Sequence, residues 1–239
     1  MTALFDFGER KIIVTIDGPY LVFGGLPLVS KTQIVSEHGE PLAWRKDGEI
    51  DTHEHELCQI YSLCRCGQSK DKPFCDSTHQ TITFDGTETA DPRPTAERQQ
   101  TFEGEGPLVV KHDDTLCAES GFCGTRNARL CDLVPAARVA DVMVEIIAMV
   151  EHCPSGSLTY APAAGEPQVE PDLPQQIAAT TEITSTGPIV GPLWVTGCVP
   201  VERVDGQPCE TRNRVTLCCC GQSKNKPLCD GTHRHLPKD

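Results

Sequence analysis

Two short motifs carry the residues with the clearest potential for chemistry. Cys64 and Cys66 lie two positions apart, so in an extended segment both side chains face the same way. Cys75 and His79 lie four positions apart, so one helical turn would place them on one face, with Asp76 situated to cap that turn. The same spacing recurs in a second set: Cys218, Cys220, Cys229 and His233. Each motif therefore offers two pairs of metal ligands.

Three cysteines and one histidine fit either of two metal centres. A single zinc ion is commonly bound by a closed tetrahedral site of this composition. Zinc fingers, however, usually space the first cysteine pair as C-x2–4-C, whereas C-x-C is shorter, and two ligand pairs naturally serve two metals. The spacing favours an iron–sulphur cluster and leaves a structural zinc protein as the alternative.

The two motifs resemble the CDGSH iron–sulphur family, whose pattern is C-x-C-x2-S-x3-P-x-C-D-G-S/A/T-H. They read CRCGQSKDKPFCDSTH and CCCGQSKNKPLCDGTH. The resemblance implies one [2Fe–2S] cluster per motif, bound by Cys64, Cys66, Cys75 and His79 and by Cys218, Cys220, Cys229 and His233. The first motif has Ser77 where the family has glycine, so a positive φ at that position would be strained.

A longer internal repeat surrounds the motifs. Residues 18–28 match residues 191–201 in their pattern of glycine, proline and apolar positions, and a cysteine motif follows each. The β-branched and aromatic runs Lys11–Ile16 and Tyr20–Phe23 predict strands. Family members commonly pair two motifs in a symmetric homodimer with swapped strands. The resemblance therefore implies that this chain is an internal pseudodimer and a monomer.

The predicted fold class is α+β. Two small β-rich CDGSH units form the pseudodimer, and a small α+β module similar to a ferredoxin lies between them. Proline-rich joints near residues 92–94 and 161–174 suggest the boundaries. They give a first CDGSH domain at 1–90, a divergent ferredoxin-like domain at 105–162, a Pro-rich linker at 163–180 and a second CDGSH domain at 181–239.

The middle module has its own candidate ligands. Cys117-x5-Cys123, followed later by Cys153-Pro, resembles the divergent single-cluster ferredoxins. Three cysteines suit a [3Fe–4S] cluster, whereas a [4Fe–4S] cluster needs a fourth ligand, either Cys131 or a non-protein group. Alternatively, the module has lost its cluster and keeps buried thiols. A helix is predicted over Ala136–His152, its apolar stripe serving as core.

Composition narrows the setting and the partners. The 14 cysteines fall in local groups, which favours metal binding in a reducing cytoplasm, and the first ten residues lack the features of a signal peptide. No apolar run is long enough for a membrane span. The net charge of −13 disfavours nucleic acid and suits docking to a basic patch on a redox partner.

The sequence predicts a carrier and not an enzyme, since it contains no G-x-S-x-G, Walker or dinucleotide-binding motif. Electron transfer with a redox partner is the leading hypothesis. Because a histidine ligand can be protonated near neutral pH, the alternative is a cluster donor to an acceptor protein or a pH and redox sensor.

Overall fold

The computed structural model describes residues 9–57 and 59–237. Strands dominate it, and helices are few and mostly short. The strands are β1 (Lys11–Val14), β2 (Tyr20–Phe23), β3 (Leu28–Val35), β4 (Pro41–Glu49), β5 (Tyr61–Leu63), β6 (Gln100–Glu103), β7 (Val109–His112), β8 (Leu158–Ala161), β9 (Gln176–Thr184), β10 (Gly187–Thr196), β11 (Val201–Glu202) and β12 (Arg214–Leu217). The helices are α1 (Thr95–Arg98), α2 (Leu130–Leu133) and α3 (Ala140–His152), with 3₁₀ turns at His53–His55, Thr78–Gln80, Asp114–Leu116, Val134–Ala136 and Thr232–His235.

The two halves of the repeat exchange strands. One sheet has the order β11-β1-β2-β5 and another the order β12-β10-β9-β3-β4. The second half places β11 beside β1 in parallel, with Ile12 opposite Val201. The first half places β3 beside β9 in parallel, with Leu28 opposite Ile177. Each sheet thus contains strands from both halves, which confirms the predicted internal pseudodimer.

One apolar core lies beneath both sheets. Alternate residues of most of these strands face inward, as the period of two requires, whereas β4 contributes no buried residue. The buried members of the core come from both halves of the repeat: Ile12, Val14, Tyr20, Val22, Leu28, Ile177, Leu193, Val195, Val201, Val215 and Leu217. The buried Tyr20 hydroxyl donates to the carbonyl oxygens of Cys218 and Pro227, at 2.7 and 3.0 Å. The core of one half therefore supports the cysteine loop of the other.

The two equivalent hairpins differ in length. The Thr15 hydroxyl donates to the Pro19 carbonyl, and the Thr180 hydroxyl donates in the same way to the Pro192 carbonyl. After Thr15 the first hairpin turns at once, since the Gly18 amide bonds to the Thr15 carbonyl. The second hairpin instead passes a bulge between Val190 and Leu193 and continues, pairing as far as Gly187 with Thr184. The first strand of this second hairpin, β9, begins at Gln176, inside the stretch 163–180 that was predicted as a linker.

The middle module packs α3 against the small antiparallel sheet β6-β7-β8. This helix ends at the predicted residue, His152, but begins at Ala140 and not at Ala136. Pro135 lies instead in the preceding 3₁₀ turn, and Val139 has extended backbone at the N-cap, so the chain reorients before α3. Within the described residues, no helix combines the length and apolarity needed to cross a membrane.

We expect the exchanged-strand core to dominate stability. Ile177 is fully buried in β9 against β3, so Ile177→Ala should lower the free energy of unfolding by about 2–5 kcal/mol. The matched control is Ile16→Ala, because Ile16 is 76% exposed. Urea denaturation followed by tryptophan fluorescence measures both. Equal, small effects would show that the parallel pairing contributes little.

Candidate metal centres

The first centre is closed by two backbone hydrogen bonds. The Cys64 amide, directly after β5, donates to the Pro73 carbonyl at 2.8 Å, and the Cys75 amide donates to the Ser62 carbonyl at 3.0 Å. These bonds bring the two ends of the motif side by side. The Sγ atoms of Cys64 and Cys66 lie 3.8 Å apart, and Cys75 Sγ lies 3.4 Å from His79 Nδ1.

The second centre has the same construction. The Cys218 amide bonds to the Pro227 carbonyl and the Cys229 amide to the Thr216 carbonyl, each at 2.9 Å. The Sγ atoms of Cys218 and Cys220 lie 3.7 Å apart. Cys229 Sγ lies 3.4 Å from His233 Nδ1. All eight ligands predicted for the two motifs therefore lie in matching pairs.

The pair distances fit tetrahedral coordination. Two ligands at about 2.3 Å from one tetrahedral metal lie about 3.8 Å apart, and a shorter bond to nitrogen reduces this separation. Each cysteine pair and each cysteine–histidine pair has the separation of two ligands on one metal. Among the described residues, no three His, Cys, Asp or Glu side chains converge as they would round a single ion. The donor geometry fits one metal per pair, and Nδ1 is the histidine nitrogen that lies beside the cysteine sulphur.

The turn that carries each histidine depends on an aspartate and on a left-handed residue. Asp76 accepts hydrogen bonds from the Lys70 amide at 2.8 Å and from the Thr78 amide, the first of the turn, at 3.0 Å, although Ser77 and not Asp76 occupies the N-cap position. These bonds hold the pKa of Asp76 well below its usual value. Ser77 has φ 68°, and Gly231 has φ 83° at the equivalent position. The first centre therefore includes the strain expected from the missing glycine.

The two cysteine loops contact each other back to back. Gly67 has φ 79°, and a Cβ there would lie 2.5 Å from the Cys220 carbonyl oxygen. Gly221 has φ 78°, and a Cβ there would meet the Cys66 carbonyl in the same way. Both glycines are thus required by conformation and by close approach. The reciprocal contact fixes the two centres relative to each other.

Thiol protonation in the metal-free chain reflects burial. Burial raises the pKa of Cys66, Cys75 and Cys229. The hydrogen bond between Cys218 and Cys220 lowers the pKa of Cys218 and raises that of Cys220. Because metals bind thiolates, occupation of either centre displaces protons from these sulphurs.

The middle module brings its four candidate ligands to one cavity. This cavity has a volume of about 310 Å³, and its walls include Cys117, Cys123, Cys131 and Cys153. Burial raises the pKa of Cys117 to about 11. For Cys153, burial acts to raise the pKa, but the positive charge of Arg214 and nearby hydroxyls outweigh it, and the pKa falls.

Arg214 is a site residue that the sequence did not reveal. Its buried guanidinium donates to the carbonyl oxygens of Val150, Glu151 and Cys153 at 2.8 Å each, and to that of Leu158 at 3.2 Å. It therefore satisfies the Glu151 carbonyl in the last turn of α3 and gives a second donor to the Val150 carbonyl, which also accepts from the Cys153 amide. No local sequence pattern marks Arg214, since β12 also contains the polar Thr216.

Glu182 is a second residue that sequence reasoning missed. It is fully buried, and its Oε2 lies 3.1 Å from His233 Nε2. The sequence did not reveal this contact, because Glu182 lies 51 residues from His233.

The fold and the donor sets define a strand-swapped pair of metal-binding units. A family model described as "Iron-binding zinc finger CDGSH type" matches residues 17–80 and 190–234. Both regions belong to this family, and the chain carries two iron-binding domains of the CDGSH type that flank the middle module. Comparison with curated proteins and with solved structures gave no match.

We expect Arg214→Met to destabilise the protein by more than about 2 kcal/mol, because each buried acceptor left unsatisfied costs about 1–3 kcal/mol. Arg138→Met is the control, since Arg138 pairs with Glu105 on the surface and such pairs contribute about 0–1 kcal/mol. Denaturant unfolding compares the two. An Arg214→Met protein as stable as the control would contradict the conclusion that this guanidinium satisfies the buried carbonyls.

Proposed function

We propose that this chain is an electron carrier, not an enzyme, and that each CDGSH unit holds one [2Fe–2S] cluster. The observation that carries the proposal is the pairing of ligands, with sulphur–sulphur separations of 3.8 and 3.7 Å and sulphur–nitrogen separations of 3.4 Å. Such a cluster supplies one-electron redox chemistry when bound. A single zinc ion per motif accounts less well for two separate pairs of donors.

The chain's own residues would set the redox properties of both centres. Three thiolates and one neutral imidazole place less negative charge on the metals than four thiolates, which raises the reduction potential. His79 is only half-buried, so the first centre reaches the surface where a partner docks. The net charge of −13 suits a redox partner with a basic patch and opposes nucleic acid. We place the carrier in the cytoplasm, where free thiols persist.

We also propose a third cluster in the middle module. Four cysteines on the wall of one cavity support a [4Fe–4S] cluster bound by Cys117, Cys123, Cys131 and Cys153. A [3Fe–4S] cluster on three of them is the variant of this proposal. Cys123 and Cys131 are exposed, which disfavours the alternative in which the thiols serve as small buried hydrophobes.

A second candidate function is cluster donation or sensing. The half-buried His79 favours it, because solvent can reach a ligand that protonates near neutral pH. An acceptor protein would then replace the redox partner. Since strand exchange is completed within one chain, we propose that either function is performed by a monomer.

Counting iron and acid-labile sulphide in anaerobically purified protein tests the cluster number. We expect about eight irons and eight sulphides per chain with a [4Fe–4S] cluster, and about four of each if the CDGSH units alone are loaded. Cys153→Ser should remove only the middle-module iron. Cys198→Ser, at an exposed cysteine outside all three sites, should leave the count unchanged. Stoichiometric zinc would overturn the proposal.

Replacing both histidines separates the two functions. In a chain with His79→Cys and His233→Cys, a fourth thiolate should shift both reduction potentials to more negative values while reversible reduction persists. Protein-film voltammetry measures this shift. If only cluster donation operates, the variant should instead release its clusters more slowly and with less dependence on pH. Failure of the native protein to be reduced reversibly would exclude electron transfer.

A further inference from the structure

The two CDGSH centres differ in what surrounds the histidine. His233 is 8% exposed, and its Nε2 lies 3.1 Å from Oε2 of the fully buried Glu182. His79 at the equivalent position is half-buried. His79 contacts Cys75 through Nδ1, and among the described residues no carboxylate contacts the His79 ring. The second histidine alone has a buried carboxylate on the nitrogen that faces away from the metal site.

The carboxylate comes from the extra length of the second hairpin. Thr15 and Thr180 occupy equivalent positions, as their matching bonds to proline carbonyls show. The first hairpin turns immediately after Thr15, whereas β9 continues through Glu182. Two positions after Thr15, where the second hairpin has Glu182, the first hairpin has Asp17. Asp17 lies in the turn and accepts from the Gly86 amide at 2.8 Å and not from a histidine. The difference between the centres is built into the backbone.

Glu182 is held in place from several sides. Its Oε1 accepts a hydrogen bond from the Ser120 hydroxyl at 3.0 Å. Arg234 forms an ion pair with Oε2, next to the contact with His233. Both oxygens of this buried carboxylate are therefore hydrogen-bonded or paired. Ser120 lies between Cys117 and Cys123, so the loop of the middle cavity contributes to the support.

We propose that Glu182 is a positioning residue for His233 and that it makes the second centre the more retentive of the two. Oε2 accepts the Nε2 hydrogen, which leaves the Nδ1 lone pair directed at the metal position beside Cys229 Sγ. A carboxylate on the distal nitrogen fixes the tautomer and the ring orientation of a ligating histidine and increases its donor strength. Stronger donation holds the second cluster longer and at a lower potential than the first. This inference rests on the proposed function.

The first test needs no change at Glu182. In Cys75→Ser only the second centre keeps its full ligand set, and in Cys229→Ser only the first centre does. We expect Cys75→Ser protein to lose the visible absorption of its [2Fe–2S] cluster at least several-fold more slowly, and to show the lower reduction potential. Equal rates and potentials in the two proteins would overturn the inference, even if Glu182→Gln did not fold.

The second test is Glu182→Gln in the Cys75→Ser chain. Loss of such a carboxylate typically weakens metal retention about 10–100-fold, so we expect about tenfold faster cluster loss and a higher potential. Glu119→Gln is the matched control, because Glu119 contacts His235 at 2.8 Å and not the ligand. If Glu182→Gln and Glu119→Gln behave alike, Glu182 has no positioning role.

A third measurement identifies the imidazole as the route of the effect. In a His233→Cys background, Glu182→Gln should no longer change retention or potential, since the bonded nitrogen is gone. An undiminished effect there would show that Glu182 acts through its charge alone and would contradict the proposal. If native protein shows no [2Fe–2S] spectrum, both this inference and the proposed function are wrong. If both centres hold clusters with equal retention and equal potential, only this inference is wrong.

Discussion

The parallel pairing of exchanged strands is the constraint on which the rest of the structure depends. Each half of the repeat is too small to bury its own apolar face, and the pairing of β1 with β11 and of β3 with β9 merges both faces into one core. The same pairing sets the two cysteine loops back to back, so that Gly67 approaches Cys220 and Gly221 approaches Cys66. Ligand geometry in one half is therefore a property of both halves.

The middle module is joined to this pseudodimer by polar contacts at specific points. Arg214 of β12 binds the carbonyls at the end of α3, and Gln33 of β3 donates to the Ser120 carbonyl at 2.8 Å. Both contacts lie close to candidate ligands, since Cys153 follows α3 and Ser120 lies in the loop of Cys117 and Cys123. Residues of the pseudodimer thus order the loops that would hold a third cluster.

Local chemistry explains how much of the site the sequence could predict. The ligand pairs depend on spacings of two and four residues. The bond from the turn to Asp76 depends on the place of Asp76 just before that turn, and the strain at Ser77 follows from the missing glycine. All of these are short-range features, and the structure shows the expected geometry for each. The matched repeat and the family resemblance extended the prediction to the exchange of strands.

Residues that act over long sequence separations could not be predicted in this way. Glu182 and His233 are 51 positions apart, and Arg214 meets the end of α3 across more than 60 residues. Neither side chain has a local pattern that marks it. The start of α3 at Ala140 was also missed, because the apolar periodicity continues through a segment whose backbone turns at Val139.

The unequal surroundings of the two histidines bear on the choice between the candidate functions. A carrier needs a cluster that stays bound through repeated reduction, whereas a donor needs one that can leave. The second centre has its histidine buried against Glu182, which suits a cluster that stays bound. The first centre has a half-buried histidine, which suits a cluster that can leave. The exchanged strands are paired through their backbones and not through a metal, so under the proposed function loss of the first cluster would leave the shared core in place. Under the proposed function, one chain would then combine a permanent redox centre with an exchangeable one, so that electron transfer and cluster donation need not exclude each other.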